Sequence, residues 1–335
     1  MGGPMILWSR EPLNAETPLE LLCRSAVTPT ELFFVRSHGA VPDVDPEQYR
    51  LTLTGDVRAP LTLSLAELRR LPRTSVTATL ACAGNRRGEL GAVAGAIPWG
   101  AGAIGNAVWT GVRLADLLGP AGVAPEACHV AFTALDTALV AGGSEHFGGS
   151  IPLDKALDDE VLIADEMNGE PLPPEHGFPL RAVVPGYIGA RSVKWLAAIS
   201  VQRTPSESFF QTRDYAVDGR PLGPLPLSSA LCALTDATGG LTLSGYAVAG
   251  DGRSVARVEV STDGGRSWSD ATLRSGPRDP WTWRLWDAEV ALAPGPGELV
   301  VRAHDDLGRT QPEHAAWNPR GYLNDSWHRT ALAGG

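Results

Sequence analysis

The stretch TLACAGNRRGE, Thr79–Glu89, sets one cysteine beside a Gly-Asn turn and then two arginines, Arg86 and Arg87. A thiolate is a soft ligand, suited to copper, zinc, iron–sulfur or molybdenum. A single cysteine cannot close a zinc site, and no partner stands nearby at metal-ligand spacing. A metal at Cys82 therefore has to arrive with ligands of its own, as part of a cofactor. Adjacent guanidiniums would favour the thiolate and draw in an anionic substrate. The plain alternative is a small buried cysteine next to two surface charges.

The elements around this cluster follow from patterning. TSVTATLACA is β-branched and predicts a strand running into Cys82. YRLTLTGDV (Tyr49–Val57) alternates and ends in a Gly-Asp turn. LTLSLAELRRLP begins as a strand, after which Ser64 caps a short helix. GVRLADLLGPAG has helical spacing with a Gly-Pro stop, and LDKALDDEVLIADEMNG reads as a second helical stretch ending at a glycine. LRAVVPGYIGARSVKWLAAISVQR gives two apolar strands around a Pro-Gly bend. Short helices mixed with strands predict an α+β domain. The segment up to about Trp8 reads as a loosely held terminus.

Composition changes at Asp218–Ser229, DGRPLGPLPLSS, a Pro- and Gly-rich stretch that fits a linker and divides the chain into 1–218 and 219–335. Beyond it come short alternating strands. VEVSTDGGRSW is a hairpin signal, and the strand spacing predicts an all-β sandwich of immunoglobulin type. Six of the ten tryptophans lie in this half, where large aromatics fill a core or an interface.

The 335 residues carry a formal net charge of −10, which argues against nucleic acid or an anionic membrane as the main partner. No run of 18 apolar residues and no signal-peptide pattern stands in the sequence. The four cysteines, Cys23, Cys82, Cys128 and Cys232, form no CxxC pair. Scattered thiols without an export signal predict a cytoplasmic location. There is no G-x-G-x-x-G after a strand and no Walker loop.

ACAGNRR resembles the molybdenum-binding signature of the sulfite oxidase family. FFVRSHGAVP (Phe33–Pro42), GAIPWGAGAIGNAVWTGVRLADLL, MNGEPLPPEHGFPLRAVVPGYIGARSVKWL, FFQTRDY and WNPRGYLNDSWHR are similar to further segments of the same family. Together they span roughly Phe33 to Arg329. The resemblance implies a molybdopterin-binding α+β domain followed by an immunoglobulin-like dimerisation domain, and hence a homodimer.

By matched position, the resemblance implies that Cys82 supplies the protein thiolate to molybdenum. Phe34, Val35, Arg36, Ser37 and His38 would line the molybdopterin, Asp136, His176 and Arg181 would contact the pterin, and Ser192, Val193 and Lys194 would hold the pyranopterin and its phosphate. Arg36, Arg87, Trp99, Tyr215 and Arg320 match the substrate pocket. Taken singly, His176 reads as a turn or core histidine, Arg181 and Lys194 as surface charges, and Trp99 and Tyr215 as core aromatics. Arg86 reads as more structural than Arg87. Ser37 stands where the family pattern has Asn, and Ala216 where it often has Lys. The activity implied is oxidation of sulfite to sulfate, with electrons passed to an external acceptor, a cytochrome or oxygen. Reduction of nitrate or another small oxyanion or S-oxide is a second enzymatic reading, and a non-catalytic dimeric binding module a third.

Overall fold

A computed structural model of the chain describes residues 4–237, 240–276, 279–291 and 297–332. Strands dominate. Among the described residues the longest helix is Leu114–Ala121, whose Pro120 sits in the last turn and whose left-handed Gly122 ends it. The first half is thus more β-rich than the α+β expectation. No described helix is long and apolar enough to cross a membrane.

Two five-stranded sheets form the first half. One joins Glu170–Pro171, Leu162–Met167, Ile104–Arg113 and Thr74–Ala81 in that order, with Arg181–Val183 also paired to Leu162–Met167. The other runs Leu61–Ser64, Arg50–Gly55, Leu196–Gln202, His129–Val140, Gly143–Pro152, and its only parallel pair is Leu196–Gln202 with Arg50–Gly55. Leu51, Leu53, Val112, Phe132, Ile163, Leu180 and Ile199 share the main core between the two sheets. The expected cap at Ser64 is present as a reciprocal capping box with Glu67.

Two local readings are corrected. Residues 153–169 are not one helix: Leu153–Ala156 makes a single turn, and Leu162–Met167 is a strand. Val161, Leu162, Ile163 and Ala164 are fully buried, as befits a strand with neighbours on both edges. Asn168-Gly169, both at positive φ, is a tight hairpin turn and not a helix stop. The start of the chain is also held. Ile6–Ser9 pairs with Asn14–Glu16, which pairs with Val35–Arg36; residues 1–3 lie outside the described residues.

Among its described residues the second half forms two four-stranded sheets. Ser228–Ala237, Gly240–Val248, Arg284–Val290 and Thr272–Leu273 make one; Ser269–Asp270, Val255–Ser261, Gly297–Asp305 and His328–Leu332 make the other. Leu243, Val258, Trp286 and Val301 belong to one core shared by both. The hairpin expected in VEVSTDGGRSW is present, pairing Glu259 with Asp270 across Gly264 and Gly265 at positive φ.

The halves are knit together. Ala81, Ile104, Tyr215, Tyr246, Trp283 and Leu285 share one apolar cluster. The Tyr246 hydroxyl donates to Ala101 O and accepts from Asn85 Nδ2, and the Thr79 hydroxyl accepts from Trp283 N. These contacts fall on the strand and turn that carry Cys82, so the second half braces the cysteine loop.

Candidate active site

Cys82 follows the last residue of the Thr74–Ala81 strand and is held by its backbone N–H to Ala103 O. Its thiol accepts weakly from Gly84 N–H at 3.4 Å. Burial pushes the thiol pKa up, and Arg36 and Arg87 pull against that. A cationic partner or a metal would resolve that conflict in favour of the thiolate.

Two cavities meet at Cys82, Arg36 and Tyr215. The narrower reaches into the first half past Phe34, Ser37, His38, Asp136, His176, Arg181, Ser192 and Lys194. The wider opens past Arg87, Trp99, Arg320 and Tyr322. Every residue expected to contact cofactor falls on the first, except Val35 and Val193. Val35 is fully buried and pairs with Ala15, and Val193 packs into the main core. All five residues expected at the substrate pocket line the second.

The narrow cavity is built from buried charge. Arg181 donates to His176 O and Ser192 O and lies 4.7 Å from the Trp109 ring, but its Nε has no partner. Lys194 donates to Ser37 Oγ and Glu175 O. Ser37 thus holds the lysine directly. Asp136 lies where the pairing of its strand with Gly143–Pro152 is irregular between Thr133 and Thr137. Such an irregularity re-aims a side chain; here Asp136 Oδ1 is buried without a partner.

Burial lowers Arg181 to about 9. Burial, then Arg181, puts Lys194 well below its ordinary value. Burial raises Asp136 to about 6 and lowers His176 to about 3. His176 is therefore neutral, and since its Nε2 donates to Thr30 O, Nδ1 is the acceptor. Orphaned buried polar atoms are rare in native proteins unless something else satisfies them. An unpartnered guanidinium N–H and an unpartnered carboxyl oxygen in one cavity, beside the half-buried Lys194 amine, fit a ligand that carries donors, acceptors and an anionic group.

The wider cavity is a funnel with three guanidiniums. Arg36 donates through Nη1 to Asn14 Oδ1 and Ser37 O. Burial pulls its pKa down, but the acidic groups around it, Tyr215, Cys82, Tyr322 and Asp214 together, outweigh that and hold it above its ordinary value. Arg87 donates to Arg320 O and Ile97 O and lies 4.8 Å from the Tyr322 ring. Gly84 makes room for it, because a Cβ there would meet Arg87 Nη2 at 2.6 Å. Arg320 bonds Arg213 O and sits 3.5 Å from Asp214. Arg86, in contrast, is fully buried at φ 66 and grips Glu89, Ser326 O and Trp327 O. It fastens the cysteine loop to the second half.

Tyr215 stacks on Tyr322 at 5.5 Å, and its hydroxyl lies 3.2 Å from His38 Nε2. The same Nε2 lies 3.2 Å from Asp214 Oδ2. Burial raises Asp214, but its bond to His38 and the cations Arg36 and Arg320 outweigh that and lower it, so it is a carboxylate. Burial, then Arg36, lowers His38 to about 4, so the imidazole is neutral despite the nearby carboxylate. A carboxylate only accepts, so Nε2 carries the hydrogen and Tyr215 Oη accepts from it too. The phenol, whose pKa burial raises well above normal, keeps its own proton free to donate elsewhere.

Sequence reading missed Asn14, Phe147, Trp195, Asp214 and Tyr322, all of which line one cavity or the other. Asp214, Trp195 and Tyr322 sit within two positions of Tyr215, Lys194 and Arg320, so adjacency was an available signal. Asn14 and Phe147 had none, since only sheet pairing and a stack on His38 at 4.9 Å bring them in.

The family profile described as oxidoreductase molybdopterin binding domain matches residues 38–210, and that described as Mo-co oxidoreductase dimerisation domain matches 225–334. The mitochondrial sulfite oxidase of Homo sapiens is 44% identical over 96% of this chain and 64% of its own length, so this chain spans just under two thirds of that relative. The sulfite oxidase of Arabidopsis thaliana is 41% identical over 97% of this chain and 92% of its own. Among solved structures, the sulfane dehydrogenase SoxCD from Paracoccus pantotrophus matches with a TM-score of 0.85 at 30% identity, over 98% of this chain and 87% of that one.

Proposed function

Because the chain belongs to the sulfite oxidase family of molybdopterin oxidoreductases, we propose that it is an enzyme that oxidises sulfite to sulfate at a molybdenum–molybdopterin centre. The carrying observation is the meeting of two cavities at one cysteine: a deep one with orphaned buried charges and an open one with three guanidiniums.

In this reading Cys82 is the protein ligand to the metal. Arg181 and Asp136, each with an unpartnered polar atom, and His176 would meet the donors and acceptors of the pterin. Lys194 and Arg181 hold the phosphate, and the arriving anion restores the charge that burial works against. When bound, the group supplies two-electron oxidation with oxygen-atom transfer.

The chain's own residues do the rest. Arg36, Arg87 and Arg320 make the funnel attractive to an oxyanion, and Arg36 is a permanent cation at the junction. Tyr215 offers its phenol proton to a substrate oxygen, since His38 and Asp214 leave that proton uncommitted. Trp99, fully buried, closes a wall and limits water. Sulfite and water give sulfate, two protons and two electrons, which an external one-electron acceptor takes. The second half, read as an immunoglobulin-type sandwich, serves as the dimerisation unit.

Metal and pterin content per chain, followed by steady-state assays with sulfite and ferricyanide, cytochrome c or oxygen, test this reading. About one molybdenum per chain with sulfite turnover is the expected result. A fully loaded protein that ignores sulfite but reduces nitrate with reduced viologen would overturn it in favour of the reductase, and a metal-free protein from a host that makes the cofactor would favour a binding module.

A further inference from the structure

The funnel has two chemically different linings. One is the guanidinium set with Tyr215 and Tyr322. The other is the loop that follows the Arg87–Leu90 turn, where Val93, Ala94, Gly95, Ala96 and Ile97 line the cavity in unbroken succession. No side chain among these five can hydrogen bond or carry charge. Pro12 and Pro319 extend the same apolar character. The loop is fixed to the cationic side, because Ile97 O accepts from Arg87 Nη1 and a Val93–Ala96 turn closes on itself. The loop is open at Gly95, an exposed residue where an added Cβ would meet nothing within 4 Å.

The cationic side is partly engaged already. Arg87 uses two of its donors on backbone carbonyls, and Arg320 faces Asp214 and Arg213 O. A compact, fully hydrated dianion gains nothing from five apolar residues and loses water to them. A monoanion with a small apolar substituent gains from both linings.

Resting on the reading above, we propose that the funnel accepts short-chain alkanesulfinates and that this protein oxidises them to alkanesulfonates. The head group would meet Arg36 and Tyr215, and the alkyl group would lie on Val93–Ile97. The balance is R–SO₂⁻ + H₂O → R–SO₃⁻ + 2 H⁺ + 2 e⁻. A sulfur–oxygen bond forms, the C–S bond is kept, and sulfur loses two electrons. Two ferricyanide ions each take one electron, and the protons leave to water.

The test uses the molybdenum-loaded protein and two readouts. First, isothermal titration compares sulfate with methane- and ethanesulfonate, which need no turnover. The expected result is tighter binding of the sulfonates, by about fourfold for each added methylene, the ratio set by ~0.8 kcal/mol per buried CH₂. Second, kcat/KM is measured for sulfite and for methane- and ethanesulfinate with ferricyanide. The sulfinates should be oxidised, ethane better than methane. Ala94→Lys, at an exposed position, should reverse the preference towards sulfate and sulfite by tenfold or more; Ala96→Ser serves if that variant does not fold, with a smaller shift in the same sense. Sulfite turnover with no sulfinate turnover, and sulfate bound as tightly as the sulfonates, overturns the inference and leaves the sulfite reading standing. Absence of sulfite turnover overturns that reading, and the titration then decides the funnel's chemistry alone.

Discussion

Replacing Gly84 with alanine probes how Arg87 is placed. The new methyl carbon would stand 2.6 Å from Arg87 Nη2, 2.7 Å from Cζ and 2.9 Å from Nη1. Ordinary contact needs about 3.5 Å, so the guanidinium must retreat by about 0.9 Å. It cannot do so freely, because Nε–H is held by Arg320 O at 2.8 Å and Nη1–H by Ile97 O at 3.0 Å, and the Tyr322 ring lies beside it. A shift of that size breaks one or both bonds. Hydrogen bonds to charged groups contribute about 1.5–3 kcal/mol each, so a loss of roughly 2–4 kcal/mol is expected. The displaced guanidinium also withdraws from the funnel, and kcat/KM for sulfite should fall by roughly 10–100-fold. Urea unfolding and steady-state kinetics on Gly84→Ala, Arg87→Ala and the double variant read both effects. In the Arg87→Ala background the methyl has room, so Gly84→Ala should then be nearly neutral, with a coupling of about 2 kcal/mol or more. An additive cycle, or a Gly84→Ala protein with wild-type kinetics, would refute the placement argued for Arg87.

Arg86→Ala should destabilise the protein by roughly 2–4 kcal/mol, read as a lower urea midpoint, because it removes the charged hydrogen bonds that a fully buried guanidinium gives to Glu89, Ser326 O and Trp327 O. Lys194→Met should cut molybdenum content at least tenfold by metal analysis while leaving the cofactor-free protein as stable as before, since it removes an ammonium that burial disfavours; full occupancy would contradict the phosphate role. The cofactor-free protein should lose stability in acid. Burial holds His38 and His328 at about 4 and His176 at about 3, against an ordinary 6.5. Between pH 6.5 and 4 the unfolded chain therefore binds more protons, so this stability is full above 6.5 and drains as pH falls. Asp136, raised from 3.8 to about 6, works in the opposite sense over most of that window. For these four groups taken alone the slope is about 2.7 kcal/mol per pH unit; urea midpoints that stay flat from pH 7 to pH 4.5 would contradict the burial of these imidazoles.

Much of the site was legible because its chemistry is local in sequence. Cys82, Arg86 and Arg87 lie on one turn, so residue type and spacing were enough to single them out, whereas Arg36, Ser37 and His38, consecutive at the end of a two-residue strand, stood out only through the family resemblance. Strand and cap signals at Tyr49–Val57, Ser64 and Thr74–Ala81 matched the observed elements because alternation and capping act within a few residues. The stretch at 153–169 was misread because a short apolar run bounded by acidic residues suits either a helix face or a doubly flanked strand, and only its partners at Arg113 and Val183 decide. The same limit hid Asn14 and Phe147. The aim of Asp136 depends on an irregular register that no local pattern records. The role of Arg86 as a clamp between halves became visible only when residues 240 positions away closed on it.

The central claim is a bond between the sulfur of residue 82 and molybdenum at the junction of the two cavities. An anomalous difference map from crystals of the loaded protein, collected at the molybdenum edge, tests it directly. One strong peak per chain is expected within bonding distance of Cys82 Sγ, between Arg36 and Tyr215. A peak elsewhere in the fold, with the Cys82 thiol free, would contradict it.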